Sequence, residues 1–291
     1  MRYSRALVVA NPIAGRGRGV MVGQLVVDGL AARGVAAELV LTQARGDGAA
    51  RVRRLGAGVH LVVAVGGDGT LREVLDGLPD PAIPVGLVPV GTANVMSREL
   101  GLPRDPRKAL DVILAGHVKA LDVGRVNGRL CSFVAGIGLD AMVVREVERR
   151  RRGPITRWHY VWALLRVLPT YAPPRLRVAI DGEAAVAAGF VLITNCSRYA
   201  GLFRLTSRRQ PDEATFDVYF FRNASRRALA AAAILGVAGQ IAGAGGCERR
   251  SARQVRVTAD APVPFQVDGD DGGDTPVEFV AEVQRYHVLV P

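Results

Sequence analysis

The spacing of apolar residues along the first 120 positions alternates between a strand pattern and a helix pattern. Short apolar runs predict β-strands at residues 6–10, 37–41, 59–65 and 84–88. Apolar residues at helical spacing predict helices at residues 20–33, 48–55, 70–78 and 93–100. The run at 59–65 is uninterrupted and rich in valine, as expected of a strand that is buried on both faces. Repeated strand–helix units predict a parallel sheet with right-handed crossovers.

The pattern changes after residue 120, where short strand-like segments are separated by Gly, Pro and Asp. Strands are predicted at residues 121–126, 130–135, 176–180, 190–195, 216–221, 254–258, 265–267, 277–283 and 287–290. Helical patterns interrupt them at residues 139–167 and 225–244, and a helix within 105–119 marks the boundary. The sequence therefore predicts an α/β domain at 1–120 followed by an all-β domain at 121–291, with the last strand free to return to the first domain.

Composition adds a strong basic charge to this picture. The formal net charge is +11, and hydrophobic residues make up 49% of the chain, which is enough to build two cores. Such a charge favours anionic partners, namely nucleic acid, lipid headgroups or polyphosphates, or else it reflects a solvated basic surface. Three isolated cysteines, Cys131, Cys196 and Cys247, indicate reduced thiols in a cytosolic compartment. The uncharged stretch 228–247 has the length of a membrane span but consists mostly of Ala and Gly, so we expect a packed or membrane-touching helix there.

A glycine-rich turn follows the buried strand, with the sequence Gly-Gly-Asp-Gly-Thr at residues 66–70. Its glycines allow a phosphate to approach backbone N–H groups, and the helix that begins at Thr70 adds a field that favours anions. Asp68 is placed to hold Mg²⁺ or its bound water, or alternatively to cap the helix. Similar turns follow the first strand, at residues 11–19, and the fourth strand, at 89–94. Since parallel strands end at one edge of a sheet, the three turns together predict a nucleotide site.

These motifs resemble the diacylglycerol kinase catalytic domain family, which also includes sphingosine and ceramide kinases and bacterial lipid kinases. The resemblance extends through the Gly136-Ile137-Gly138-Leu139-Asp140 segment and the Asp268-Gly269-Asp270 segment, and so covers essentially the whole chain. It implies a parallel-sheet nucleotide-binding domain, then a β-sandwich domain, with the active site in the cleft between them. By the same resemblance, the ATP-binding residues are Asn11, Pro12, Gly15, Thr42, Gly66, Gly67, Asp68, Gly69, Thr70, Glu73, Gly91, Thr92 and Asn94.

The resemblance also implies a general base and a structural magnesium ion. The base would take a proton from a lipid hydroxyl as it attacks the γ-phosphate, and Asp268 and Asp270 are equal candidates for it. A solvated turn is the alternative role for both aspartates. The metal would be held by Gln210, Glu213 and Thr215, although Glu213-Ala214 replaces the family's usual Asp-Gly and leaves this site open.

Residues 145–166 suggest where a lipid surface would bind. Four consecutive arginines at 149–152 precede Trp158, Tyr160 and Trp162, a combination that suits an anionic membrane surface. A solvated charged face with core aromatics explains the segment equally well. Nucleic-acid binding is disfavoured because the chain contains no recognisable nucleic-acid module.

The function expected from these features is ATP- and Mg²⁺-dependent phosphorylation of a lipid hydroxyl, of diacylglycerol or a related lipid. The enzyme would act in the cytoplasm, attached peripherally to the inner face of an anionic membrane, without nucleic acid as a partner. A homodimer stays open, as does the identity of the acceptor lipid. Two alternatives remain: a soluble small-molecule kinase of NAD-kinase type, and a catalytically weak nucleotide- and lipid-binding regulator. The second alternative is motivated by Arg72, Val95 and Ala214, which depart from the family pattern.

Overall fold

The computed structural model describes residues 3–150, 156–199, 203–205, 215–237, 246–282 and 284–291. The chain divides into two compact units. Unit 1 contains Met1–Leu121 and Gln284–Pro291, and unit 2 contains Asp122–Val283. The predicted fold class, a parallel-sheet α/β domain followed by a β-sandwich, is confirmed.

Unit 1 alternates strands and helices. Its strands are β1 (Arg5–Ala10), β2 (Ala36–Leu41), β3 (Leu61–Gly66), β4 (Val85–Pro89), β5 (Val118–Leu121) and β20 (Tyr286–Leu289). Its helices are α1 (Ala14–Gly17), α2 (Gly19–Ala31), α3 (Asp47–Arg53), α4 (Asp68–Gly77), α5 (Val95–Glu99) and α6 (Pro106–Ala115). The elements predicted up to residue 100 are all present, with ends that agree within two residues.

The sheet of unit 1 has the strand order β2-β1-β3-β4-β20-β5. The strands from β2 to β4 run parallel, β20 pairs in parallel with β4, and β5 is the antiparallel edge. Every residue of β3 is buried, because helices cover both faces of a parallel sheet. The turns that follow β1, β3 and β4 therefore lie at one edge of the sheet.

Local sequence signals explain the last helix of unit 1. Asp105 precedes α6, and its carboxylate accepts hydrogen bonds from the N–H groups of Arg107 and Lys108. Pro106 occupies the first helical position, where its missing N–H costs nothing, and Gly116 ends the helix in the left-handed conformation. The strand predicted at 121–126 is divided, because β5 ends at Leu121 in the sheet of unit 1.

Unit 2 consists mainly of strands. They are β6 (Gly124–Val126), β7 (Arg129–Cys131), β8 (Val134–Ile137), β9 (Leu176–Ile180), β10 (Val186–Ala188), β11 (Phe190–Thr194), β12 (Arg198–Tyr199), β13 (Phe203–Arg204), β14 (Phe216–Phe221), β15 (Cys247–Ala252), β16 (Gln254–Ala259), β17 (Pro264–Val267), β18 (Asp270–Asp274) and β19 (Val277–Ala281). The helices are α7 (Leu139–Arg149), α8 (Arg157–Val167), α9 (Arg226–Val237) and the 3-10 turn Leu168–Thr170.

Two six-stranded sheets form the core of unit 2, in the orders β10-β9-β16-β19-β6-β7 and β15-β14-β11-β8-β17-β18. Their inward side chains form one buried cluster, in which the rings of Phe216 and Phe279 lie 4.7 Å apart, one from each sheet. Buried aliphatic and aromatic side chains of this kind supply most of the stability of such a sandwich.

One helical prediction in unit 2 needs correction, and a second is confirmed over the part that the structure describes. The helix predicted at 139–167 is two helices, α7 and α8, and residues 151–155 between them lie outside the described residues. Of the helix predicted at 225–244, the structure describes α9, and residues 238–245 lie outside the described part. Among the residues that the structure describes, no helix is long and apolar enough to cross a membrane.

Candidate active site

The turn after β1 is built around Asn11. Its backbone N–H donates to Val65 of the neighbouring strand, and its side-chain oxygen accepts the N–H of Ile13 at 3.1 Å. Gly15 has a φ of 60°, in the left-handed region that favours glycine. A Cβ atom at Gly19 would lie only 1.9 Å from the carbonyl oxygen of Asn11, so α2 can begin against this turn only with glycine there.

The turn after β3 contains glycines that serve different purposes. A Cβ at Gly66 would lie 2.2 Å from the Thr70 hydroxyl, so the fold itself requires glycine at that position. Gly69, in the first turn of α4, has an ordinary backbone conformation, and a Cβ there would meet nothing within 4 Å. Neither packing nor backbone geometry accounts for glycine at 69. It leaves the N-terminal end of α4 uncovered, as the approach of a phosphate group requires.

Asp68 connects this turn to the next one along the sheet. Its two carboxylate oxygens accept the backbone N–H groups of Val95 at 2.9 Å and Met96 at 3.0 Å. The aspartate therefore holds the start of α5 in place, instead of capping its own helix. A carboxylate can accept more than two hydrogen bonds, so these backbone contacts are compatible with a role beside Mg²⁺.

The turn after β4 packs directly on the turn after β3. A Cβ at Gly91 would lie 2.6 Å from the Cα atom of Gly67, so the two backbones touch. Asn94 has a φ of 45°, and its amide nitrogen donates to the carbonyl of Gly91 at 2.8 Å. The side-chain oxygen of Asn94 is buried without a hydrogen-bond partner. Buried polar atoms are normally paired, so this acceptor, lying between two glycine turns, fits a site that a ligand completes.

The remaining predicted ATP-binding residues of unit 1 have varied surroundings. Glu73 accepts the N–H groups of Gly46 at 2.8 Å and Gly48 at 3.0 Å, so its carboxylate holds the start of α3. Thr42 directly follows β2 and lies close to that helix start, and Thr92 is exposed. Arg72 is buried, so this departure from the family pattern does not face solvent.

In unit 2, Asp268 and Gly269 form a two-residue hairpin turn between β17 and β18. Both residues have positive φ values, 53° and 85°, which suit an Asp-Gly hairpin turn of type I′. The Asp268 carboxylate is buried and accepts the N–H groups of Ser132, Phe133 and Val134, at 2.7 to 3.0 Å, and the Ser132 hydroxyl at 2.8 Å. The hydrogen bonds of this carboxylate hold the hairpin against the segment at the start of β8.

Asp270 begins β18 and is partly exposed. Its carboxylate lies 2.8 Å from the guanidinium of Arg129, which also donates to the carbonyl of Asp271. Arg145 of α7 pairs with Asp271 at 3.0 Å and with Asp274 at 2.9 Å. The segment 268–274, whose composition suggests a loop, is therefore a hairpin whose acidic strand is held by two arginines.

Asp140 and Gln266 form a second polar group beside this hairpin, and neither was predicted to be a site residue. The Gln266 amide nitrogen donates to the Asp140 carboxylate at 2.6 Å, and the hydroxyl of Tyr199 bonds to the other oxygen. The amide oxygen of Gln266 accepts the N–H of Gly269 at 2.7 Å. The only signal in the sequence was the Gly-x-Gly-x-Asp spacing that ends at Asp140.

The structural magnesium site stays a prediction. Gln210 and Glu213 lie outside the described residues. Thr215 is described, and its hydroxyl lies 3.2 Å from that of Ser251.

Helix α8 exposes an apolar stripe. Trp158 is 66% exposed, Trp162 is 49% exposed and Leu165 is 65% exposed, and their spacing places them on one face of the helix. The guanidinium groups of Arg150 and Arg166 lie over the Trp162 ring, at 5.5 and 4.4 Å from its centroid. The start of the helix is fixed by a capping box, in which the His159 ring accepts the N–H of Thr156.

Comparison with known proteins matches two domain types in succession along the chain. Residues 5–126 match the diacylglycerol kinase catalytic domain, and residues 133–290 match the YegS C-terminal NAD kinase β-sandwich-like domain. Diacylglycerol kinase of Staphylococcus carnosus is 28% identical over 99% of this chain and 95% of its own length. Diacylglycerol kinase of Bacillus subtilis is 28% identical over 79% of this chain and 78% of its own length.

Solved structures show the same fold. A crystal structure from Bacillus anthracis has a TM-score of 0.83 and 21% identity, covering 100% of this chain and 96% of its own. A crystal structure of a diacylglycerol kinase from that organism has a TM-score of 0.75 and 19% identity, covering 100% of this chain and 98% of its own. Identities this low speak for the fold alone. Because both domain types are matched in order along the chain, the protein belongs to the diacylglycerol kinase family.

Proposed function

We propose that this protein transfers the γ-phosphoryl group of ATP to the hydroxyl group of diacylglycerol or a closely related lipid. The observation that supports it best is the set of glycine turns after β1, β3 and β4. These turns interlock at one sheet edge, and Gly69 leaves the end of α4 uncovered without any structural need. The names of the relatives supply the lipid part of the proposal.

ATP would bind the N–H groups at the turns of unit 1, and Mg²⁺, when bound, would neutralise charge on its phosphates. Asp68 is the carboxylate of these turns that fits the metal. The lipid hydroxyl oxygen forms a bond to the γ-phosphorus, the bond from that phosphorus to ADP breaks, and the hydroxyl proton passes to a carboxylate. Of the two predicted bases we assign this role to Asp270, because four donors already occupy the Asp268 carboxylate.

The reaction would take place at the cytoplasmic face of an anionic membrane. Exposed tryptophans with arginines stacked on them suit the boundary between headgroups and acyl chains, since the ring is apolar and the guanidinium attracts anionic lipid. Helix α8, with Trp158, Trp162 and Arg166, has this composition. Docking by α8 would bring the protein to a substrate that does not leave the bilayer.

Transfer of radiolabelled phosphate from ATP to vesicles tests the reaction. The panel contains diacylglycerol, a sphingoid base, phosphatidylglycerol and a polyprenol, each in the same phosphatidylcholine background, and NAD serves as a soluble acceptor. We expect label in a lipid, and loss of at least about 100-fold in turnover for Asp270→Asn. Asp260→Asn, at an exposed ion pair of unit 2, is the matched control and should behave as wild type. Label in NAD and in no lipid would refute the proposal.

Vesicle co-sedimentation tests the membrane part separately. Trp162→Ala should weaken binding to anionic vesicles several-fold, and salt should weaken binding of the wild type, since exposed charges are screened. Met21→Ala, which removes an apolar side chain of unit 1 that is more exposed than Trp162, should not change binding. Binding that ignores both salt and Trp162→Ala would exclude α8 as the docking helix.

A further inference from the structure

The Asp140 carboxylate occupies space that neighbouring glycines leave open. Gly138 precedes α7 with a φ of 99°, and a Cβ atom at Gly136 would lie 2.0 Å from the nearer Asp140 oxygen. Gly136 pairs across strands with Gln266, so the missing side chain leaves the carboxylate room to reach the Gln266 amide. Together, Gly136 and Gly138 allow the carboxyl group of Asp140 to lie within hydrogen-bond distance of Gln266.

Gln266 has no freedom in this arrangement. It is 1% exposed, its nitrogen donates to Asp140, and its oxygen accepts the N–H of Gly269 at 2.7 Å. A glutamine amide that is bonded at both ends can adopt only one orientation. If it flipped, its NH₂ group would face the Gly269 N–H, and its oxygen would face the Asp140 carboxylate. The direction of the Gly269 N–H therefore depends on the position of Asp140.

The position of the Asp140 carboxyl group matters more for its hydrogen bond with Gln266 than its negative charge does. Burial raises its pKa to about 7, against the Gln266 hydrogen bond, which lowers it. The ionisable groups on the elements packed around α7 have other partners. Asp271 and Asp274 pair with Arg145, and His159 caps α8. Near neutral pH, an asparagine is therefore a close substitute for the protonated form of Asp140.

We propose that Asp140 is a positioning residue, which acts through Gln266 to fix the Asp268-Gly269 turn and with it the direction of the Asp270 carboxylate. The inference rests on the proposed function, in which Asp270 receives the proton of the lipid hydroxyl. It adds a residue that neither contacts the reacting atoms nor forms the core, and it gives the glycine spacing before α7 a purpose.

Steady-state kinetics of Asp140→Ala, Asp140→Asn and Gln266→Met test this role. A misplacement of about 1 Å can cost about 100-fold, so we expect Asp140→Ala and Gln266→Met to lose about 10- to 100-fold in kcat with little change in the KM for ATP. Asp140→Asn should keep most of the wild-type kcat, because its amide can accept from Gln266 and donate to Tyr199. Loss in Asp140→Asn equal to that in Asp140→Ala, or a loss confined to KM, would overturn the proposal.

Hydrogen exchange of the peptide spanning residues 264–274, in the protein without substrates, gives a readout independent of activity. The Gly269 amide should exchange faster in Asp140→Ala than in the wild type, and at the wild-type rate in Asp140→Asn. If the wild type phosphorylates no lipid, the proposed function fails while this comparison still tests the link. If Gln266→Met does not fold, the two Asp140 variants decide. Unchanged exchange at Gly269 in Asp140→Ala overturns the positioning role.

Discussion

Asp268 in the hairpin turn and Asp270 at the start of β18 should separate cleanly into a structural and a chemical residue. Asp268→Ala removes the acceptor of three buried backbone N–H groups and the Ser132 hydroxyl. A hydrogen bond to a charged group contributes about 1.5–3 kcal/mol, and backbone donors cannot turn away to find other partners. Because water can enter the space left by the side chain, we expect a loss of roughly 3–5 kcal/mol, below the sum of the four bonds.

Thermal unfolding of the full chain measures this loss. For a unit of this size, 1 kcal/mol lowers Tm by about 2–4 °C, so Asp268→Ala should melt roughly 10 °C below the wild type. Asp270→Ala breaks a partly exposed pair with Arg129, worth about 0–1 kcal/mol, and should melt close to the wild type while losing turnover. An Asp268→Ala protein with wild-type Tm and no turnover would show that Asp268 acts chemically, and the assignment of the base to Asp270 would be wrong.

Three further predictions concern the turn after β3, Asp140 and Glu73. Gly69→Ala should leave Tm unchanged or slightly higher but raise the KM for ATP. Gly66→Ala should instead lower Tm, because its Cβ would collide with the Thr70 side chain. Melting curves and ATP titrations distinguish the two variants. Asp140→Asn should stabilise the protein by roughly 2–4 kcal/mol at pH 8 and hardly at all below pH 4, because the raised pKa of Asp140 makes the wild type lose stability as pH rises from about 4 to about 7. Denaturant unfolding at several pH values checks the sign of this difference. Glu73→Ala should lower Tm by loosening the start of α3, with little change in the KM for ATP; a large KM effect at unchanged Tm would instead support direct nucleotide contact.

The fold of unit 1 was predictable because its signals are local. Strand β3 is a continuous apolar run that ends in glycine, and α6 carries both of its boundary signals, Asp105-Pro106 and Gly116. Apolar periodicity and turn residues fix such elements within a few positions. That the three turns share one sheet edge followed from the rule that parallel strands end at one edge.

The acidic hairpin shows where local signals end. The Asp268-Gly269 pair is a known hairpin signal, but β18 has the sequence Asp-Asp-Gly-Gly-Asp, without the alternating apolar residues that mark a strand. That strand exists because β17 pairs with it and because Arg129 and Arg145 hold its carboxylates. Composition alone favours a loop there.

The side-chain links across unit 2 were beyond prediction for a different reason. Asp140 and Gln266 are separated by 126 positions, and the sequence around either residue gives no sign that the two are in contact. Asp268 likewise meets its partners at Ser132 to Val134 only through the pairing of β8 with β17. Such contacts depend on strand register, which the sequence pattern did not supply.

The position of β20 has a consequence for the order in which the protein folds. This strand lies between β4 and β5, although more than 160 residues of unit 2 separate it from β5 along the chain. During synthesis on the ribosome, the sheet of unit 1 therefore lacks a strand between β4 and β5 until β20 has been made, after all of unit 2. A fragment that ends at Leu121 would expose the unpaired backbone of β4, an edge prone to association. The first unit should consequently be produced and studied only as part of the full chain.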